Sequence, residues 1–322
     1  MKPQTSPAYL LLCLLVYFSC FEGMPAAAQG KKPAQKTPAG STRPRSSVVR
    51  PSSSSSLLTA AQPWPPTDVD KFVPPVNSSA ACSLSDVLTG ASHRIEELAH
   101  NLDRFTATEI VQHQKVDGGG RLSSPEIRNF DYLVSLAPTP SGYLNVQEYR
   151  KGHSSRTDEF PDHVATLGTP SLVLIFHPRY VKNFSITCEG LGEWGGMPAW
   201  QVRFEQRRDA KQSMIAMDIG GRTYNLKLRG RAWILSSSYQ VARLETDLAE
   251  TIPSIHLSLD HQSVEYLPVR FRDAKVEIWL PASTELFMDF QGHRFYRRHA
   301  FTNFNLFSVK VDQQIGEPKT EQ

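Results

Sequence analysis

The feature that most restricts the fold is a change of hydrophobic period near Thr106. Before this residue, apolar side chains recur every three or four positions. After it, short runs rich in β-branched and aromatic residues continue almost to the end, with alternation as clear as Leu286, Met288 and Phe290. Turn signals separate the runs: Gly118-Gly119-Gly120, Gly195-Gly196, Gly220-Gly221 and Gly292-His293. Such alternation leaves one face of a strand apolar and the other polar, which predicts an antiparallel meander with one buried face.

The segment before the change predicts one amphipathic helix. Its apolar stripe begins at Leu84 and reaches Phe105, while the opposite face carries charged and polar residues. Ser83 is the expected N-cap, with Asp86 three residues later as in a capping box. A helix with one apolar face must pack on another element, and the meander is the available one. The predicted fold class is therefore mainly β with some α, an antiparallel curled sheet or incomplete β-barrel that carries an N-terminal amphipathic helix.

The first residues predict export. Lys2 precedes a nearly continuous apolar run from Leu10 to Phe21, and the small residues of Pro25-Ala26-Ala27-Ala28 follow. This is typical of a cleaved secretory signal, and the apolar run is too short for a membrane span. We therefore predict a signal peptide over 1–28 and a periplasmic or cell-envelope location, where nucleic acid is not an expected partner.

Residues 29–75 are rich in Pro, Ser, Lys and Ala, with seven basic and two acidic side chains. Such a composition cannot bury enough apolar surface to order itself, which predicts a disordered tether. The alternative is peripheral contact of this basic tether with an anionic membrane or wall polymer. The half-barrel domain is predicted over 76–322, a length that one all-β unit accommodates.

Two cysteines, Cys82 and Cys188, remain after the predicted signal is removed, because Cys13 and Cys20 lie within it. An exported pair has the opportunity to oxidise. Cys82 and Cys188 are thus the candidate disulfide, which would join the start of the domain to its middle.

A second short helix is predicted after Thr169, with Pro170 in its first turn and Pro178 beyond its end. Its consecutive apolar side chains allow two interpretations. One is a buried core element. The other is a lid whose inner face lines a cavity, with a ligand-binding role for Leu172, Leu174, Ile175 and Phe176.

No motif for catalysis or metal binding is present. The chain has no GxSxG elbow, no HExxH and no paired CxxC, and His256 and His261 are spaced for opposite faces of a strand. Arg297-Arg298-His299 is interpreted as part of an exposed strand face. We therefore predict a protein that is not an enzyme and that uses no cofactor and no metal.

The order of elements resembles a known superfamily. Leu102-Asp103-Arg104-Phe105-Thr106-Ala107 leads from the helix directly into a long strand, and later runs include Leu226–Ile234, Val264–Val269 and Trp279-Leu280-Pro281. These features resemble the lipoprotein-carrier half-barrel superfamily, which contains LolA and RseB-type proteins, and in particular its exported bacterial members.

The resemblance implies a half-barrel whose concave face, covered by helices, holds an acyl chain or another apolar group. The predicted function is a non-enzymatic envelope module that binds a lipid or a lipoprotein acyl chain in this cavity. The alternative is a ligand-free structural or interaction domain whose partner is an envelope protein.

Overall fold

The computed structural model describes residues 47–48, 64–139, 143–152, 160–166, 168–210, 214–219, 221–271 and 275–307. All of them belong to one compact unit, Arg43–Gln322. The predicted signal peptide, 1–28, lies outside the described residues, and so do 29–46 and 49–63 of the predicted tether.

A single α-helix is described, α1, Leu84–Asn101. Val87, Ala91 and Ile95 are buried along its apolar stripe. Ser83 is the N-cap residue, but its side chain makes no capping hydrogen bond and faces the hydroxyl of Ser85 instead. The predicted apolar stripe reaches Phe105, but the helix ends at Asn101, since Phe105 belongs to the first long strand.

The strands form an antiparallel sheet and a small separate hairpin. They are β1 Ser47–Val48, β2 Arg104–Lys115, β3 Glu126–Pro138, β4 Leu144–Gly152, β5 Phe184–Trp194, β6 Met197–Gln206, β7 Ile215–Ile219, β8 Arg222–Leu226, β9 Leu228–Leu235, β10 Val241–Leu248, β11 Leu257–Phe271, β12 Val276–Phe290 and β13 His293–Phe307. The main path runs β4-β3-β2-β13-β12-β11-β10-β9-β6-β5, β1 pairs with β11, and β7 pairs with β8 alone. The two edge strands, β4 and β5, do not pair with each other in the described residues, so the sheet is not closed into a barrel.

Two of the strands are longer than the sequence pattern predicts. The pattern suggests a break between Leu259 and Val264 and another between Leu280 and Glu285, yet β11 and β12 each run through without interruption. Pro281, which has no N–H to donate, lies beside a register shift between Glu265 and Tyr266. A bulge at this position lets the strand pair continue past the proline.

The inner face of the sheet is the one that α1 covers. Beneath α1 lies a 3₁₀ helix, Thr169–Phe176, which we call the core segment. All eight of its residues are buried, and Ser92 of α1 donates a hydrogen bond to the carbonyl of Phe176 at 2.7 Å. The core segment, α1 and the apolar side chains of β6 and β9–β12 form the main hydrophobic cluster.

Gly168 starts the core segment in the left-handed conformation, with φ of +88°. Its carbonyl accepts hydrogen bonds from the N–H and the hydroxyl of Ser171, at 2.9 and 2.7 Å. A residue with a Cβ is disfavoured at this φ, so glycine fits the turn that drives the chain into the core.

The outer face of the sheet is partly covered by Trp64–Pro75, which we call the strap. Arg203 pairs with both carboxylate oxygens of Asp70 at 2.7 and 3.0 Å, and Arg229 pairs with Asp68. Arg231 donates to the carbonyl of Val69 at 2.8 Å. The predicted tether extends to residue 75, whereas the structure holds its last twelve residues against the sheet. Arginines on β6 and β9 fix the position of the strap, and burial of Val69 and the contact of Trp64 with Phe287 add apolar contacts with the sheet.

A disulfide joins Cys82, just before α1, to Cys188 of β5. Asn77 forms an isolated antiparallel bridge with Leu191 of the same β5 strand, and the N–H of Asn77 donates to the carbonyl of Leu191 at 2.8 Å. The chain that leads into α1 is therefore fixed to the end of the sheet that β5 forms.

Candidate functional site

A cavity of about 350 Å³ lies on the inner face between the β7–β8 hairpin and the sheet. The sheet contributes Leu286, Met288 and Phe290 of β12, and these side chains are all buried. The hairpin contributes Ile215, Met217, Ile219 and Leu226. Alternation along β12 places its three apolar side chains on one face, which explains why this wall is continuous.

Two polar side chains of β11 interrupt the apolar lining. Asp260 and Gln262 are 4% and 3% exposed, and Gln262 Nε2 donates to Asp260 Oδ1 at 2.9 Å. The other amide atom, Gln262 Oε1, is buried without a hydrogen-bond partner among the described residues. A buried acceptor without a donor costs free energy, so this arrangement needs an explanation.

Burial raises the pKa of Asp260 to about 6, since an ionised carboxylate loses its hydration in an apolar cavity. The hydrogen bond from Gln262 and the imidazole of His261 oppose this rise, and Asp247 adds to it. The carboxyl group of Asp260 thus changes charge in a pH range where most aspartates are fully ionised.

The third wall of the cavity is the segment Val164–Thr166. Arg297 of β13 holds it from behind: Nη1 donates to the carbonyl of Val164 at 2.6 Å and to Thr166 Oγ1 at 2.9 Å. Burial lowers the pKa of Arg297 to about 10, which leaves it charged at neutral pH. The prediction that Arg297 and His299 lie on an exposed strand face is wrong: both are fully buried because Phe160–Thr166 covers them.

Arg297 belongs to a buried charged network centred on Glu109 of β2. Arg150 of β4 donates to both carboxylate oxygens of Glu109, at 2.6 and 3.1 Å. His299 Nδ1 lies 2.7 Å from Glu109 Oε1, and His299 Nε2 lies 3.1 Å from Thr166 Oγ1. Burial disfavours the charge on Glu109, but the hydrogen bond from His299 and the charge of Arg150 outweigh it and lower the pKa of this carboxyl.

The network continues to the outer end of β2. His113 lies between Arg297 and Asp162. The Nδ1 atom of His113 is 3.4 Å from Arg297 Nε, and its Nε2 atom is 3.1 Å from Asp162 Oδ2. Burial and the charge of Arg297 lower the pKa of His113 despite Asp162, so the ring is neutral at pH 7. Lys115 closes the chain with a contact to Asp162 at 2.6 Å. These groups fill the part of the inner face that the core segment does not reach.

A second cavity, of about 460 Å³, lies between β4 and β7 and shares Ile215 and Ala216 with the first. Leu174 of the core segment lines it, together with Leu144, Val146 and Tyr180. Leu172, Ile175 and Phe176, the other predicted lid residues, are fully buried in the hydrophobic cluster with Leu174. The structure therefore places the core segment under α1 as packed core, with Leu174 at the edge of a cavity.

No sequence motif marks Asp260, Gln262 or the β7–β8 hairpin as a site. A signal was present: Asp260 and Gln262 stand at alternate positions of a strand whose following inner-face residues, Val264 and Tyr266, are apolar. Polar residues on the buried face of a strand indicate either a satisfied network or a binding site.

No cluster of three or more His, Cys, Asp or Glu suited to a metal ion occurs among the described residues. Within the same part of the chain, α1 included, no helix is both long and apolar enough to cross a membrane.

No protein-family model matches the sequence, and no curated protein matches it significantly. Solved structures do show similarity. A LolA superfamily protein from Nitrosomonas europaea has 10% sequence identity and a TM-score of 0.34, over 71% of this chain and 96% of that chain.

A DUF1329 family protein from Desulfovibrio piger has 8% identity and a TM-score of 0.38, over 74% of this chain and 96% of that chain. The lipoprotein LppX from Mycobacterium tuberculosis has 9% identity and a TM-score of 0.26, over 71% of this chain and 100% of that chain. At these identities and scores the likeness carries nothing about a ligand or an activity.

Proposed function

We propose that this protein is a non-enzymatic module of the cell envelope that binds an apolar ligand, a lipid or acyl chain, in the cavity under the β7–β8 hairpin. The observation that carries the proposal is the cavity itself. Its volume of about 350 Å³ falls in the range of small-molecule sites, about 300–1,000 Å³, and most of its lining is apolar.

The physical basis of binding is hydrophobic burial. Each methylene that leaves water contributes about 0.8 kcal/mol, so about ten of them contribute ~8 kcal/mol before the cost of association.

Export from the cell is part of the proposal, because a protein of the envelope meets lipids and lipoproteins there. The signal-like residues 1–28 and the disulfide between Cys82 and Cys188 both support an oxidising compartment.

The test is native mass spectrometry of the protein purified from its own compartment, followed by lipid extraction. We expect an acyl species at close to one molecule per chain. The blocking variant is Met217→Trp, because Met217 is a half-buried hairpin residue whose enlargement fills the cavity. The matched control is Ile110→Trp on β2, where Ile110 is 40% exposed and lies outside this cavity lining.

Loss of the bound species in Met217→Trp, with retention in Ile110→Trp, supports the proposed site. A wild-type protein that carries no lipid and takes up neither a fluorescent fatty acid nor a fluorescent long-chain alcohol or amine would favour the alternative of a ligand-free interaction domain.

A further inference from the structure

We infer that the ligand of this cavity carries a hydrogen-bond donor, most favourably a primary ammonium group, at the end that reaches Asp260 and Gln262. This inference rests on the proposed function and specifies the chemical class of its ligand. An apolar chain with a carboxylate or phosphate at that end is the class that the site rejects.

The geometry of the polar pair is the first support. Gln262 directs Nε2 to the Asp260 carboxyl group, and this leaves Oε1 as a buried acceptor with no partner among the described residues. Both side chains line the cavity, and both are more than nine-tenths buried. A ligand donor at this position would satisfy Gln262 Oε1 and contact the carboxylate together, and a group with several N–H donors is suited to both.

The charge around the cavity is the second support. Among the described lining residues none is Lys, Arg or His, and Asp260 is the one ionisable side chain. Arg297 stands behind Val164 and Thr166, where it is already engaged by their oxygens and by the carbonyl of Pro161 at 3.0 Å. An anionic head group would thus meet a carboxylate and an acceptor without a cation to pair with, which is unfavourable at low dielectric.

The groups behind Asp260 do not neutralise it. Asp247 of β10 and His261 of β11 contact each other at 2.7 Å on the outer face, where Val69 of the strap also donates to Asp247 at 2.8 Å. The charge of Asp247 disfavours ionisation of Asp260, and the imidazole of His261 contacts the carboxylate of Asp247 and not that of Asp260. A cation in the cavity would therefore be the direct partner of an ionised Asp260.

The test compares three ligands with the same chain, dodecylamine, dodecanol and dodecanoate, by isothermal titration calorimetry on the mature protein below their aggregation concentrations. At pH 8 Asp260 is ionised, and we expect dodecylamine to bind at least about tenfold more tightly than dodecanoate, since a hydrogen bond to a charged group contributes about 1.5–3 kcal/mol. At pH 4.5, where Asp260 is mostly neutral, the preference for dodecylamine over dodecanol, neither of which changes charge between the two pH values, should shrink. Asp260→Asn should reduce it to within about twofold at pH 8, whereas Ile110→Trp, at a side chain outside the cavity lining, should leave the binding of all three ligands unchanged.

The outcomes are distinguishable. Equal binding of all three ligands, tighter binding of dodecanoate, or a preference for the amine that survives in Asp260→Asn would overturn the inference and leave the apolar site intact. Binding that persists in Met217→Trp would place the ligands elsewhere and overturn it as well. If none of the three binds to the wild-type protein, the proposed function fails and the inference with it.

Discussion

Glu109 and Asp260 are both buried on the inner face of one sheet, and the protein treats the two carboxyl groups in opposite ways. Glu109 receives two hydrogen bonds from Arg150 and lies 2.7 Å from His299, so its pKa falls. Asp260 receives one hydrogen bond from Gln262 and no direct cation among the described residues, and burial raises its pKa to about 6.

The difference separates a group of buried charges whose hydrogen bonds are made from one whose hydrogen bonds are not. The region of Glu109 is a completed network: its carboxylates, guanidinium groups and imidazoles find partners, and it supports the wall at Val164–Thr166. The region of Asp260 is incomplete, with an acceptor left over beside an apolar space. A ligand that supplies the missing hydrogen bond to a buried polar group removes the desolvation penalty of that group, and this favours binding.

The largest expected effect comes from breaking the completed network with Glu109→Gln. The change leaves Arg150, which is 7% exposed, without its bidentate partner, and we expect a loss of about 3–5 kcal/mol in the free energy of unfolding at pH 7. Because the pKa of Glu109 is lowered in the fold, its stabilisation exists above the unfolded pKa of about 4.5 and is lost as the pH falls through the folded value. Urea unfolding at pH 7 and at pH 4 measures both parts.

The control for Glu109→Gln is Glu277→Gln, which removes an exposed ion pair with Arg270. It should change stability by less than about 1 kcal/mol. Equal losses in the two variants would mean that the network contributes no more than a surface pair.

The core segment gives the next effect, through Leu172→Ala. Leu172 is fully buried, and truncation of such a leucine costs about 2–5 kcal/mol. Ile127→Ala, at a side chain that is 60% exposed, should stay within about 0.5 kcal/mol. A cost below 1 kcal/mol for Leu172→Ala, by thermal or urea unfolding, would instead fit a lid that leaves the core readily.

Asp260→Asn should have the opposite sign. The rise of its pKa from 3.8 to about 6 means that ionisation destabilises the fold, by about 3 kcal/mol at most at pH 8. The penalty is absent below the unfolded pKa of 3.8, grows as the pH rises from there to about 6, and is fully present above that pH. We therefore expect the variant to be more stable than the wild-type protein at pH 8 and nearly equal at pH 4, in paired unfolding titrations. A variant that is less stable at pH 8 would show that Asp260 is a satisfied structural group.

The smallest effect is expected from Asp70→Asn in the strap. Asp70 and Arg203 form a bidentate pair at 2.7 and 3.0 Å, but their side chains are 32% and 28% exposed. Solvent screening should limit the loss to about 1 kcal/mol, and added salt should reduce it further. A loss comparable with that of Glu109→Gln would give the outer face the same structural weight as the inner one. Urea unfolding in low and high salt provides the comparison.

The apolar part of this fold could be predicted from local patterns, since the stripe of α1 and the strand alternation occur within short windows of sequence. The charged part could not, because its members are distant: Arg150 is 41 residues from Glu109, and His299 is 190 residues from it. Each of these residues alone looks like a solvated strand position. The strap was missed for the same reason, as Asp68 and Asp70 bind arginines more than 130 residues later.

The candidate cavity was foreseen as a general property of a half-barrel, while its position was not. The sequence allows both a buried core element and a lid for Thr169–Phe176, and all eight residues of this segment are buried, with Leu174 at the edge of the second cavity. The residues that enclose the cavity instead come from a hairpin of mixed composition, Ile215–Leu226, whose location depends on tertiary packing.

The order of the strands has a consequence for how the protein is made. Among the described strands β13 is the last in the chain, yet it pairs with β2 on one side and β12 on the other, so Phe307 lies opposite Arg104. The early strands β2, β3 and β4 therefore join the remainder of the sheet through the final strand. Completion of the sheet must wait until that strand has emerged, and until then the edge of β2 that pairs with β13 is unpaired. The two parts of the sheet are therefore joined only after the chain has been synthesised through β13.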